Sequence, residues 1–554
     1  MKDRIALLLE TTLQRLFDQG VFIPCDTPEY TIEVPREELH GDFATNLALT
    51  LAKSQKTSPR RLAQQIVDSL EDSGGLLAKV EIAGPGFINF FVSERSWKET
   101  LREIVDLNDE YGKSNSGKGK RVQVEFVSAN PTGPMHVGHG RGAAVGDVLA
   151  NVLEAVGCEV EREYYINDAG TQMETLGKSM LLRCRELMGE EITFPEDSYQ
   201  GEYVKDLAEE FMARPDAREV LSSGEDAIPV LSVFAGERIL DSIKADLDTF
   251  GVTFQSWFSE KEIVEQGTLD KVTQILKEKD LLYEEEGAVW FRATQFGDEK
   301  DRVLVRSNGV VTYFATDIAY HWDKVQRGFD VLVDVWGADH HGYIPRVKAS
   351  LEALGGYSSL LHVLMVQLVN LTRGGKQVAM SKRKATYVTL REVLDEVGPD
   401  VARFIFLTRR SDAPLDFDLD LAKEQSNDNP VFYVQYAHAR ISSVLRLAEE
   451  RGVECVPPLQ VNLDLLGEKE EMRLIKRLSG FPDEVQTSAQ LFEPHRLTFY
   501  LRDLVSEFHR FYHDHRIISD DAGLTQARLL FIKAVKTVIK NGLTLLGVNA
   551  PESM

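Results

Sequence analysis

Cysteine is scarce: four residues in 554. Cys25, Cys158, Cys184 and Cys455 stand far apart with no CxxC pair. That spacing argues against a zinc site built on cysteines and fits reduced thiols in a cytoplasmic protein. Long apolar runs are missing too, and nothing is long enough to span a bilayer. Met1 to Gly20 carries Asp3, Arg4, Glu10, Arg15 and Asp18 among its leucines, which predicts an amphipathic helix and not a signal peptide. Positive charge is the third shortage. A net charge of −25 excludes a general nucleic-acid coat protein, whose surface would be broadly basic. Local clusters remain at Lys53, Lys56, Arg60 and Arg61, at Lys113, Lys118, Lys120 and Arg121, and at Lys533, Lys536 and Lys540. An acidic body with such clusters suits one specific RNA, although solvated surface charge is an equal reading for any single cluster.

What is present is ordinary for a globular chain, with 43% hydrophobic and 27% charged residues. The length predicts about three or four domains, and no internal repeat is visible. Residues 1–110 mix helical stretches with the strand-like FINFFV (Phe87 to Val92), and YGKSNSGKGK (Tyr111 to Lys120) reads as a linker. Arg121 to Val127 then alternates like a strand, SANPTGP turns, a helical run ends near Gly157, and Cys158 to Ile166 is strand-like again. That is a βαβ unit of an α/β, doubly wound parallel sheet, which we expect over residues 118–370 with a modest insertion. Further strands are expected at Gly309 to Tyr313, Val331 to Trp336 and His362 to Val369. Residues 371–428 hold a signature-loop region. From 429 to 554 only helical periodicity remains, which predicts an α-helical bundle.

The first chemical signal is His136-Val137-Gly138-His139, between a strand and a helix. Two imidazoles on the first helical turn, beside the positive end of the helix dipole, suit a phosphate whose charge rises during displacement. Gly138 would let a nucleotide lie against the helix. The second is Ala379-Met380-Ser381-Lys382-Arg383, after a Gly-rich loop. Lys382 there could stabilise a departing pyrophosphate. Neither YGKS nor LGKS is a Walker A loop. Each short string alone is weak evidence, since a structural histidine pair and a solvated loop are the plain alternatives.

Taken together, the two motifs resemble the HIGH and KMSKS signatures of class I aminoacyl-tRNA synthetases, and the chain resembles the arginyl-tRNA synthetases in particular. The resemblance runs through HGDFATN (His40 to Asn46), VEFVSANPTGPMHVGHGRGA (Val124 to Ala143), YINDAGTQ (Tyr165 to Gln172), TYFATDIAYH (Thr312 to His321) and GADHHGYIPR (Gly337 to Arg346). It continues in SNDNPVFYVQYAHAR (Ser426 to Arg440) and LLGVNAPE (Leu545 to Glu552). It implies a Rossmann-like catalytic domain, an α+β N-terminal module that touches tRNA, and a helical anticodon-binding domain. Ala379 stands where the loop signature has its first lysine, a loss frequent in this family, and Arg383 where it has its final serine. Which residue replaces that charge stays open, with Lys376 and Lys384 the nearby candidates.

The resemblance also implies an activity: ATP-dependent activation of L-arginine, then transfer to tRNA(Arg). It gives His136, His139 and Lys382 catalytic roles, and maps arginine binding onto Glu125, Ser128, Asn130, Tyr313 and Asp317. ATP contacts are expected from His136, Gly138, His139, His341, Gln367, Met380, Ser381 and Lys382. Phe43, Asn46, Tyr433, Tyr436, Lys533, Lys536 and Lys540 are expected to meet tRNA, with core packing at least as good a reading for Tyr433 and Tyr436. A guanidinium is planar, always charged and rich in donors, so its pocket needs carboxylates in a forked arrangement. Asp317 capping a helix is the plain alternative. His340 and His341 beside Asp339 lack a third ligand, so no metal site is expected, and neither zinc nor an organic cofactor. Mg²⁺ is expected with ATP, a monomer is the family default, and no membrane partner is expected. An HxGH nucleotidylyltransferase and a non-catalytic RNA-binding paralogue remain the rival readings.

Overall fold

The computed structural model describes residues 1–378, 387–454 and 456–554. At its centre is a five-stranded parallel sheet in the order Leu361–Val366, Val331–Gly337, Arg121–Glu125, Glu159–Ile166, Ser256–Ser259. The chain builds one half outward from Arg121–Glu125, then crosses back and builds the other half outward from Val331–Gly337. The order therefore reverses between those two strands, and a crevice opens beyond their carboxyl ends.

The helix Val137–Ala155 lies on this sheet unusually closely. A Cβ at Gly146 would stand 2.2 Å from the Phe126 ring, so only glycine permits the approach. Three longer helices, Thr171–Leu187, Glu202–Met212 and Ile228–Thr249, form the insertion between the second and third strands. A small antiparallel sheet of Leu282–Glu285, Ala288–Phe291 and Arg302–Val305 precedes the helix Tyr313–Gln326.

Two sequence expectations change here. Gly309 to Tyr313 is not a strand: Thr312 has extended backbone (φ −87, ψ 155) and is the N-cap of the helix that begins at Tyr313. The β-branched Val310, Val311 and Thr312 mimic a strand while serving as a helix entry. His362 to Val369 is in fact two strands, Leu361–Val366 and Val369–Arg373, the second pairing with Leu415–Asp418. The short strand Ser256–Ser259 has no signal of its own in the sequence.

The N-terminal unit has a four-stranded antiparallel sheet, Ile32–Glu33, Phe43–Thr45, Phe87–Val92 and Leu77–Ala83, backed by the amphipathic helix Lys2–Asp18. The C-terminal part is helical: Pro430–Glu450, Lys469–Ser479, Phe481–Leu491, Arg496–Asp514 and Ala522–Leu545. The two ends of the chain pack together. The helix Glu94–Leu107 lies against Ala522–Leu545 and Lys469–Ser479. Asn541 donates to the carbonyls of Asn108 (2.8 Å) and Tyr111 (2.9 Å), and Tyr111 is buried against Phe481. Its linker-like segment is therefore pinned, with Gly117 and Gly119 donating to Val156 and Gly157. Among the described residues no helix is long and apolar enough to cross a membrane.

Candidate active site

His136 is the N-cap of the helix Val137–Ala155. Its Nδ1 accepts the Gly138 N–H at 3.1 Å and the His139 N–H at 3.4 Å, while His139 Nδ1 accepts the His136 N–H at 3.2 Å. The pair forms a capping box made of imidazoles, with rings stacked at 3.7 Å. With both Nδ1 atoms accepting, the hydrogen bonds assign each neutral ring's proton to Nε2, which is then a donor. The space over Gly138 is taken by the His136 ring itself, 2.9 Å from where a Cβ would be. That glycine is needed for the cap.

Two residues further on, Arg141 is fully buried and donates to the carbonyls of Gln367 (2.9 Å), Ala413 (2.8 Å) and Arg410 (2.8 Å). Burial lowers its pKa to about 10, against a smaller opposing pull from Asp412. It ties the histidine helix to Gln367 at the crevice rim.

The crevice, about 690 Å³, is lined by Glu125, Ser128, Asn130, His136, Gly138, His139, Tyr313, Asp317 and Gln367, so nine of the expected residues meet in one place. His341 does not line it; His340 does. Both lie on the short helix Ala338–Tyr343, which turns His341 out to solvent. Met380, Ser381, Lys382 and Lys384 lie outside the described residues, and Lys376 is exposed on the edge strand Lys376–Gln377.

Glu125 ends the first strand. Its Oε1 accepts Ser128 Oγ at 2.8 Å and its Oε2 accepts Lys324 Nζ at 2.5 Å. Burial raises its pKa, Lys324 working against this. Val127 and Ser128, just beyond, have φ of +68 and +39, a left-handed conformation that costs a β-branched residue roughly 1–3 kcal/mol. That strained turn brings Ser128 Oγ onto Glu125 while it also accepts the Tyr165 N–H at 3.1 Å.

Asp317 lies within the helix Tyr313–Gln326, not at its cap. It accepts a hydrogen bond from Tyr343 OH, and burial raises its pKa. Across from it stands Glu260, 4% exposed, its pKa also raised by burial and further by Asp317. Among the described residues neither carboxylate has a lysine or arginine at ion-pair distance. Glu260, Lys324 and Tyr343 were not visible to sequence reasoning. Nothing in the local sequence marks Glu260, which follows the strand Ser256–Ser259, or Lys324, within the helix Tyr313–Gln326, although both are buried in the fold. A second cavity of about 420 Å³ adjoins at Asn130, His136 and His139 and is walled by Tyr199, Tyr203 and Tyr387.

The residues expected to meet tRNA are scattered. Phe43 is 4% exposed and stacked on Trp97, so it belongs to the N-terminal core and is not available to RNA. Asn46 is half-buried and accepts the Thr31 N–H. Tyr433 and Tyr436 are half-buried against His509, and Arg440 lies over the Tyr436 ring. Lys533 is exposed, but Lys536 is paired with Glu552 and Lys540 with Asp109, both at 2.8 Å. The expected basic stripe is largely spent on internal ion pairs.

Comparison with known proteins agrees with this architecture along the whole chain. Residues 3–92 match the arginyl tRNA synthetase N terminal domain, 100–409 the catalytic domain of tRNA synthetases class I (R), and 434–554 the DALR anticodon binding domain. The arginine–tRNA ligases of Syntrophotalea carbinolica and Citrifermentans bemidjiense are each 52% identical to this chain, with 100% of both chains covered. The Thermus thermophilus arginyl-tRNA synthetase structure has the same fold, with a TM-score of 0.75 at 24% identity over 100% of both chains. A parallel sheet that reverses at a carboxylate-lined crevice, an imidazole-capped helix beside it and matches along the full length together place this chain in the arginyl-tRNA synthetase family of class I ligases.

Proposed function

We propose that the crevice activates arginine with ATP and hands it to tRNA(Arg), with the parts assigned as follows. The guanidinium lies between Asp317 and Glu260. This rests on one observation: two buried carboxylates, each with its pKa raised by burial, share a pocket with no cation paired to either among the described residues. Such a pair is costly until a planar cation with forked donors arrives. The α-ammonium meets Glu125 Oε1, with Ser128 beside it, and Asn130 and Tyr313 fix the orientation of the chain between. A shorter or unforked side chain leaves a buried carboxylate unpaired, which can discriminate by roughly 10⁴–10⁵ without editing.

ATP lies beside Gly138, against the His136 ring that covers it and near Gln367, with the Nε2–H groups of His136 and His139 directed at its phosphates. The arginine carboxylate attacks the α-phosphorus, the bond to pyrophosphate breaks, and arginyl-adenylate forms. Donors already in place need no reorganisation as phosphate charge grows. Met380, Ser381 and Lys382 act on the leaving pyrophosphate. Mg²⁺ accompanies ATP as part of the substrate: the cluster with ligand-like spacing among the described residues, Glu468, Glu470 and His515, belongs to the helical C-terminal part and not to the crevice. A ribose hydroxyl of the terminal adenosine then attacks the adenylate carbonyl and AMP leaves.

Asn46, Tyr433, Tyr436 and Lys533 are proposed tRNA contacts, with Lys536 and Lys540 contributing only where their ion pairs open. The chain divides, in this reading, into residues 1–110, 118–370, 371–428 and 429–554, and acts as a cytoplasmic monomer. Arginine-dependent ATP–pyrophosphate exchange, with and without tRNA, tests the whole reading. Exchange with arginine and not with lysine or glutamate is expected, strongest with tRNA present. A folded protein with no exchange in either condition overturns it.

A further inference from the structure

Behind Glu125, beneath the crevice lining, lies a buried cation that the reaction as assigned above does not use. Three carboxylates stand side by side on neighbouring strands, because Glu125 is in register with Glu163 on one side and Asp334 on the other. Glu163 is neutralised by Arg327 and also accepts from Tyr320 OH (2.5 Å) and Gln123 (2.7 Å). Lys324, with its side chain fully buried, is shared by the other two: Nζ is 2.5 Å from Glu125 Oε2, 2.7 Å from Asp334 Oδ1 and 4.4 Å from the Tyr320 ring centroid. Asp334 is further held by His321 Nε2 at 2.9 Å. Tyr313, Asp317, His321 and Lys324 recur at helical spacing along Tyr313–Gln326, so Lys324 lies two turns, about 10 Å, deeper than Asp317.

We propose that Lys324 is the positioning residue that reserves Glu125 for the α-ammonium of arginine and so fixes the direction in which arginine binds. The proposal rests on the placement of arginine given above. Lys324 occupies Oε2 and leaves Oε1, beside Ser128, to face the crevice. It also makes the two ends of the pocket unlike in charge. At the deep end only Glu125 reaches the crevice, with Lys324 and Asp334 buried behind it; the other end offers Asp317 and Glu260, neither paired to a lysine or arginine among the described residues. A guanidinium turned the wrong way would be pressed towards a fixed cation, whereas a compact ammonium needs only the one oxygen presented to it. Without Lys324, Glu125 is left beside buried Asp334 with no cation between them, and the two share a proton, so Glu125 no longer presents a charged oxygen to the ammonium and the direction is no longer fixed.

The test compares two inhibitors of aminoacylation in the presence of tRNA: agmatine, which keeps the amino group, and 5-guanidinopentanoate, which lacks it. The parent should prefer agmatine by at least about tenfold, the scale of a charged hydrogen bond. In Lys324→Met that ratio should fall to within about threefold, with the inhibition constant of 5-guanidinopentanoate itself little changed, because the guanidinium pocket is intact. Lys324→Arg should keep most of the preference. A ratio that survives in Lys324→Met, or equal weakening of both inhibitors, overturns the proposal and leaves Lys324 a structural ion. Should Lys324→Met fail to fold, Asp334→Asn removes the lysine's second anchor; the ratio should drop measurably there, and an unchanged ratio overturns the proposal. A parent that cannot tell the two inhibitors apart, yet shows arginine-dependent exchange, overturns the placement of arginine and this inference with it, while leaving the activity standing.

Discussion

The two ends of the crevice are built on opposite plans. At the arginine end each carboxylate belongs to a different element and is held from outside: Glu125 by Lys324 and Ser128, Asp317 by Tyr343, with Glu260 opposite. At the nucleotide end His136 and His139 hold each other, through backbone N–H groups of one helical turn. The difference matches what each end is proposed to recognise. A guanidinium carries the same charge before, during and after reaction, so a rigid arrangement of carboxylates serves binding. Phosphate charge changes along the reaction, so donors that are aimed but not consumed serve the transition state.

The largest effect should come from the arginine end. Asp317→Asn keeps the shape and removes the charge, and should lower kcat/KM for arginine by about 10²–10⁴, the loss expected when a buried charged partner disappears. A loss below tenfold would mean that Glu260 alone binds the guanidinium. Next, His139→Ala should lower kcat by about 10²–10³ while KM for arginine stays within threefold. If KM rises as much as kcat falls, the two ends are not separable and the comparison fails. Tyr343→Phe removes one donor to Asp317 and should weaken arginine about tenfold, visible as KM.

A titration sharpens the same contrast. Burial raises the pKa of Asp317 and Glu260 above the ordinary carboxylate range of about 4. In that window the ligand-free fold binds more protons than the unfolded chain, so these two groups make it lose stability as pH rises through their raised values. Arginine seated as proposed would pair with both and remove that slope, so the rise in Tm on adding arginine should grow with pH across the window and shrink in Asp317→Asn. Asp334 acts oppositely: burial would raise its pKa, but Lys324 and His321 hold it well below the usual range. Its contribution is present above the unfolded value and is lost only as pH falls through its own low one. The smallest effect is expected far away. Lys540→Ala breaks a half-exposed ion pair with Asp109 and should change stability by less than about 1 kcal/mol. A larger fall in tRNA affinity would restore Lys540 as a phosphate contact.

Much of this was legible in the sequence, for identifiable reasons. His136 and His139 stand out because a strand, a two-proline turn and a helix surround them, and Glu125 because it ends an alternating run. Glu260 was not visible, since SEKE looks like any solvated helix start. Lys324 in WDKVQRG looks the same. Their importance depends on distant strands: Glu125 lies 199 residues before Lys324, and Glu260 follows a strand that pairs Ser259 with Ile166, which local pattern cannot reach. Phe43 was misjudged in the other direction: an aromatic in a recognisable motif proved to be core. Tyr313 was placed at the end of a strand because the consecutive β-branched Val310, Val311 and Thr312 that lead into its helix look like one.

The docking of the two chain ends carries a consequence for biosynthesis. The helix Glu94–Leu107 buries Trp97, Leu101 and Ile104, and it packs against helices that begin at Lys469 and Ala522. During translation at roughly 5–20 residues per second, that partner emerges tens of seconds later. Until then the side of this helix that carries Leu101 and Ile104 lacks the C-terminal partners it has in the finished fold.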